Sequence, residues 1–220
     1  ILMMKHPLRR RFLYIGFQGL RALIGALGLR AGRLLGQGLG LLAYGVLRTQ
    51  RRLTLDHLAY ALGGERSLEE RRRMTRQVFC HLGQTVAEWM CFHQLSVRAI
   101  QRVTRSEGME YLRAALTKGR GVILVTAHLG NWELIPLYLT SLGFQGAAMA
   151  RRLRHPEYEA LIIGMRAAHG VPTLVRGSLK EAVRILHDNQ ILGVLPDQDV
   201  DALEGIFVDF FGHPAYTPVG

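Results

Sequence analysis

The chain has 220 residues, 49% of them apolar and 20% charged, so it can bury a core without disulfide staples and is not a disordered polypeptide. Its formal charge is +11, yet ten Lys/Arg and no Asp/Glu fall in residues 1–55, and the remainder carries 18 basic against 17 acidic groups. A basic arm on a near-neutral body points to an anionic surface and argues against a chain coated throughout by nucleic acid.

The arm holds three apolar runs, Phe12–Leu20, Ala22–Leu29 and Leu34–Leu47, separated by Arg21, Arg30 and Arg33. None is the clean stretch of about 18 residues expected of a spanning helix, and no cleavage site of small residues marks a signal peptide. Apolar runs with arginines at intervals predict interfacial helices, greasy face in lipid and guanidinium groups at phosphates. A shallow hairpin, a span with snorkelling arginines, or simple packing on the body is compatible with the same runs. Gly28, Gly32, Gly36 and Gly40 recur every fourth position, leaving a bare stripe on which another helix can pack closely. No aromatic stacking platform or reader motif suggests a nucleic-acid partner.

Ser67-Leu-Glu-Glu70 has the form of a capping box, and Met74, Val78, Leu82, Val86, Trp89 and Met90 follow at helical spacing. The predicted helix ends near Gln94, and its arginine run reads as a solvated face. Cys80 and Cys91 fall within it, about 16 Å apart for eleven residues and so beyond disulfide reach; reduced core residues in a cytoplasmic setting are expected. Beyond Gly108 strand and helix patterns alternate. Gly121–Ala127 is a continuous β-type run expected to be buried on both faces, and Trp132–Leu142 reads as a helix. A strand near 147–150, a helix over 156–168, a strand at 172–175, a helix capped by Ser178 and a strand at 190–195 complete the pattern. The predicted fold class is α/β, a mixed, largely parallel sheet flanked by helices, with ligands expected beyond the carboxyl ends of the strands.

The sharpest feature lies at such an end, His128-Leu-Gly-Asn-Trp-Glu133. Gly130 permits an unusual backbone angle, Asn131 suits the N-cap of the helix expected from Trp132, and Glu133 falls in its first turn. In a continuous helix positions 128 and 133 would point about 140° apart, so the strand–turn–helix break is what allows imidazole and carboxylate to meet. A carboxylate that fixes the tautomer makes the imidazole a general base toward an alcohol. With no Ser or Cys spaced as a nucleophile, the expected chemistry is direct attack by a substrate hydroxyl. The catalytic candidates are thus His128 and Glu133.

This hexapeptide resembles the H-x-G-N-W-E form of the H-x4-D/E motif in the lipid A biosynthesis (late) acyltransferases. Arg151 is similar to the arginine after that family's next strand, Arg166 with Gly170 to its R-x3-G, and Asp197-Gln198 to its D-Q at a strand end. Phe210-Phe-Gly212 with Ala215, Thr217 and Gly220 resembles its F-F-G-x-x-A-x-T segment, and the arm takes the place of its membrane anchor. The resemblance implies a glycerolipid-acyltransferase-like fold at the cytoplasmic face of a bacterial inner membrane. It implies transfer of a fatty acyl chain from acyl carrier protein, or from a coenzyme A thioester, to a hydroxyl of a glycolipid. No cofactor is implied beyond that thioester co-substrate. The partners it implies are the acyl donor, anionic membrane lipid and the glycolipid acceptor. Two departures accompany it: relatives continue past position 220, so a truncated carboxyl end is expected, and no asparagine stands near His57.

Gly130, Asn131, Arg151, Arg166, Asp197 and Gln198 form the expected substrate-binding set, with Phe210 and Phe211 as acyl-channel or core residues. Arg152 and Arg154 read as surface. Asp197 and Asp199 lack a third clustered ligand, and His169 and His187 lack partners at ligand spacing, so no metal is expected. The expected organisation is a membrane-associating helical arm over 1–55, linking helices over 56–107 and an α/β core over 108–220. An acceptor such as a phosphatidylinositol mannoside, a catalytically silent membrane-binding homologue and a hydrolase are the alternative readings.

Overall fold

The computed structural model describes residues 7–153, 155–175, 177–198 and 205–218. Arg154, Asp199 and Gly220 lie outside the described residues. The chain divides into two compact units, Ile1–Gln94 and Leu95–Gly220.

The first unit is helical: α1 (Pro7–Val46), α2 (Arg48–Leu62) and α3 (Leu68–Cys91), followed by a single 3-10 turn at Phe92–Gln94. The three apolar runs of the arm do not make three helices. They fall in α1, where two helical segments meet at Gly28, whose φ of 73° and ψ of 174° leave the helical region. Arginines interrupt the apolar pattern but not the backbone, since arginine is itself a good helix former. As a result Arg11–Val46 is long and apolar enough, by length and composition, to cross a membrane.

Two of the four glycines in the stripe, Gly36 and Gly40, do what its spacing predicts, while Gly28 has no neighbour within 4 Å. A Cβ on Gly36 would collide with the Gly83 carbonyl, one on Gly83 with the Gly36 carbonyl, and one on Gly40 with the Phe79 carbonyl. α1 and α3 therefore touch backbone to backbone along Gly36, Gly40 and Gly83, around a core of Ile24, Ala87, Met90 and Cys91. Both cysteines are buried and free. The capping box forms as read: the Glu70 amide donates to Ser67 Oγ at 3.3 Å, and the Ser67 amide donates to Glu70 Oε2 at 2.8 Å.

The second unit runs α4 (Val97–Val103), α5 (Met109–Leu116), β1 (Val122–Val125), α6 (Leu134–Ser141), β2 (Gly146–Ala150), α7 (Pro156–Ala167), β3 (Thr173–Val175), α8 (Leu179–His187) and β4 (Ile191–Val194), then the hairpin β5 (Gly205–Phe210) and β6 (His213–Pro218). Strands β1–β4 form one parallel sheet in the order β1-β4-β2-β3, and β5 and β6 pair antiparallel as a second sheet. On one face Ala147, Leu174 and Leu192 pack with Ala182 and Ile185 of α8.

β1 departs from expectation. It stands at the sheet edge, and Ile123 and Val125 are 56% and 63% exposed. Their register with Leu192 and Val194 puts them on the α8 face, but among the described residues the strand members of the cluster under α8 come from β2, β3 and β4. Continuous hydrophobicity reports suitability for burial, not the reach of the covering helix.

Candidate active site

β1 and β4 are parallel neighbours with Val125 opposite Val194. The backbone ladder runs one residue further, the Thr126 amide donating to the Val194 carbonyl at 3.0 Å. Three residues past each of these paired valines come His128 and Asp197. Equal offsets from a common rung bring the two together at the carboxyl end of the sheet. His128 Nδ1 lies 2.7 Å from Asp197 Oδ1, and the His128 backbone amide donates to Asp197 Oδ2, also at 2.7 Å. His128 is thus held twice by one carboxylate, once through its ring and once through its backbone amide. Partial burial pushes the Asp197 carboxyl upward, but the side-chain and backbone hydrogen bonds from His128, with its charge, outweigh that and hold it below the usual carboxylate range. An ionised Asp197 accepts from Nδ1–H, which fixes the tautomer with its lone pair on Nε2. The Trp132 ring packs edge-on against the imidazole, centroids 4.8 Å apart.

Glu133 does not occupy the place expected of it. Among the described residues no hydrogen bond joins it to His128. Its two oxygens accept from Arg166, Nη2 to Oε1 at 2.6 Å and Nε to Oε2 at 2.8 Å. Arg166 Nη1 also donates to Thr173 Oγ1 at 3.3 Å. The reason is local. Gly130, at φ 58°, reverses the chain, and Asn131–Leu134 form a turn in which the Leu134 amide donates to the Asn131 carbonyl at 3.1 Å. The regular helix therefore begins at Leu134, not Trp132, and Asn131 is not its N-cap. The turn sends the Glu133 side chain inward, where it is 6% exposed, against 27% for His128 and 33% for Asp197. A carboxylate buried that deeply requires a cation, and Arg166 from the last turn of α7 supplies it in fork geometry. Arg166, expected to contact substrate, is committed to this pair.

The other candidates separate by position. Gly130 is exposed and Asn131 half-buried in the turn beside His128. Arg151 and Arg152 follow β2 directly and are exposed; β2 neighbours β4, so they emerge at the same end of the sheet as Asp197. Gln198 is exposed next to Asp197. Phe210 and Phe211 stack edge-on at 4.7 Å at the β5–β6 turn, where Phe211 has φ 56°, and both are exposed. They do not line the apolar cavity of about 50 Å³ that runs between the sheet and α6. That cavity borders Trp132 and Glu133 and was not foreseen.

The model of the bacterial lipid A biosynthesis acyltransferases matches residues 4–220. The chain belongs to this family. Among curated proteins it is similar to the phosphatidylinositol mannoside acyltransferase of Mycobacterium tuberculosis, 29% identical over 133 residues, covering 58% of this chain and 41% of that protein. It is also similar to the lipid A biosynthesis lauroyltransferase of Escherichia coli K12, 28% identical over 179 residues, covering 80% of this chain and 57% of that protein. The aligned part is thus 41–57% of the length of these relatives. Family membership matches the resemblance carried by residues 128–133, and the arrangement around them adds Asp197 as the partner of the histidine.

Proposed function

We propose that the protein is a membrane-associated acyltransferase that moves a fatty acyl chain from a thioester, on acyl carrier protein or coenzyme A, to a hydroxyl of a glycolipid of the lipid A precursor type. The observation that carries this reading is the 2.7 Å contact between His128 Nδ1 and Asp197 Oδ1 beyond the strand ends. His128 Nε2 takes the proton of the acceptor hydroxyl as its oxygen attacks the thioester carbonyl carbon. The carbon–sulfur bond then breaks, the imidazolium returns the proton to the departing thiolate, and Asp197 steadies the imidazolium throughout. Backbone amides of the turn at Gly130 face the developing oxyanion, and Arg151, exposed at the same sheet end, receives phosphate groups of donor or acceptor. Glu133 acts by keeping the turn in place through Arg166.

The exposed apolar side chains of α1, among them Phe12, Leu34, Leu42 and Val46, support lipid association by the arm; the cytoplasmic face of an inner membrane is the surface we propose for it, on the family resemblance. A mannosylated phosphatidylinositol is the second acceptor reading, favoured by the mycobacterial relative. Transfer assays with both acceptors, followed by mass spectrometry, decide between them. His128→Ala should lower transfer roughly 10²–10⁴-fold without loss of fold. Full transfer by that variant in membranes would refute the mechanism, and thioester cleavage unaffected by added glycolipid would indicate a hydrolase.

A further inference from the structure

Across the α6 face of the sheet, one rung is uneven. Leu124 on β1, Gly193 on β4 and Ala148 on β2 stand in register, and the middle position, on a strand paired on both sides, carries no side chain. Nothing in the backbone demands glycine there. Gly193 is not among the glycines of positive φ, and a Cβ built on it meets only the Ala147 carbonyl oxygen at 3.7 Å, an ordinary contact. Gly146, on the adjacent strand, is the counter-example: its Cβ would run into the Ile191 carbonyl. Glycine inside a strand gives up packing and marks a place where something else approaches closely.

What Gly193 leaves open is the middle of the cavity between sheet and α6, with Leu124, Leu139, Ala148 and Leu195 among its walls. The lining follows β4 from Leu195 to Ile191, which at a strand's rise is roughly 13 Å. Its volume of about 50 Å³ is that of a narrow, partly open passage with room for roughly three to five water-sized groups. Trp132 joins it to His128, since this residue borders the cavity and its ring packs on the His128 imidazole. The Glu133–Arg166 pair also borders it, with charges mutually neutralised.

We infer that Gly193 sets the length of the acyl chain: the tail of the thioester passes Trp132 and threads between the sheet and α6 over the bare rung. This rests on the acyltransferase reading for the identity of the tail. A side chain at 193 closes the passage halfway along, while groups near His128 are untouched.

The test uses the full chain, its Gly193→Ala and Gly193→Val variants, and a series of coenzyme A thioesters from butyryl to palmitoyl. Binding is measured by calorimetry and transfer by product analysis. Gly193→Val should cut affinity and kcat/KM for the longest donors at least 10-fold, leave butyryl donors within about two-fold of wild type, and move the optimum to shorter chains. Gly193→Ala, which fits with ordinary contacts, should give a smaller shift in the same direction and guards against misfolding of the larger variant. A chain-length profile unchanged in shape in both variants, or wild-type binding without chain-length dependence, overturns the inference. Length-dependent binding that Gly193→Val abolishes, in a protein that transfers no acyl group, upholds the inference and sinks the acyltransferase reading instead.

Discussion

Two carboxylate pairs each draw one member from residues 128–133, and they are opposites. His128 and Asp197 meet in the open, on loops beyond β1 and β4, each about one-third exposed. Glu133 and Arg166 meet in the interior, less than one-tenth exposed, with both carboxylate oxygens and two guanidinium nitrogens engaged. The first pair engages one of the two ring nitrogens and leaves the residues half-open to solvent; the second satisfies itself. The contrast teaches that proximity in sequence to a histidine does not make a carboxylate its partner. Strand pairing chose Asp197, 69 residues away.

The comparison can be broken most forcefully at its buried member. Glu133→Ala strands the Arg166 guanidinium in the interior, which should cost about 3–5 kcal/mol of stability, while joint replacement of both residues by apolar ones of similar volume should recover most of it. Thermal unfolding of the single and double variants checks this. Near-additive losses would contradict the pairing.

The open member should show the reverse profile. Asp197→Asn keeps the shape but loses the charge that holds the tautomer, so transfer should fall roughly 10²-fold or more. Stability should move by no more than about 1 kcal/mol, because a pair this exposed is solvent-screened. A variant that is unfolded, or fully active, would erase the distinction.

Acid supplies the smallest effect. The folded Asp197 carboxyl sits below its unfolded value, so around that value the unfolded chain binds more protons and stability rises with pH. The contribution is fully present above the unfolded value of about 3.9 and is lost as pH falls through the lower, folded one. Urea unfolding at a series of pH values should show a shallower acid slope in Asp197→Asn than in wild type; equal slopes would contradict the shift.

Much of this was legible in the sequence, for identifiable reasons. Strands β1–β4 and helices α6–α8 announced themselves through period and turn residues, whereas α4, α5 and the β5–β6 hairpin did not, and the four-residue glycine spacing foretold the close approach of α1 to α3 at Gly36 and Gly40. The break at Gly130 was readable because only glycine takes φ 58° cheaply. Which carboxylate faces the histidine was not, because that depends on β4 lying beside β1, a pairing across some 65 residues that no local pattern encodes. The signal that could have found it was the equal three-residue offset of His128 and Asp197 from their strand ends, visible only once strand order is known. Gly193 was likewise invisible as a feature, since a lone glycine in a strand acquires meaning only from the cavity it opens.

The central claim is that Asp197, not Glu133, holds the His128 imidazole. Proton NMR of histidine-¹⁵N-labelled protein reads it directly, through the Nδ1–H resonance that a carboxylate partner shifts downfield. That resonance should be present in wild type, persist in Glu133→Gln, and disappear or move upfield in Asp197→Asn. Its loss in Glu133→Gln with persistence in Asp197→Asn would reverse the assignment.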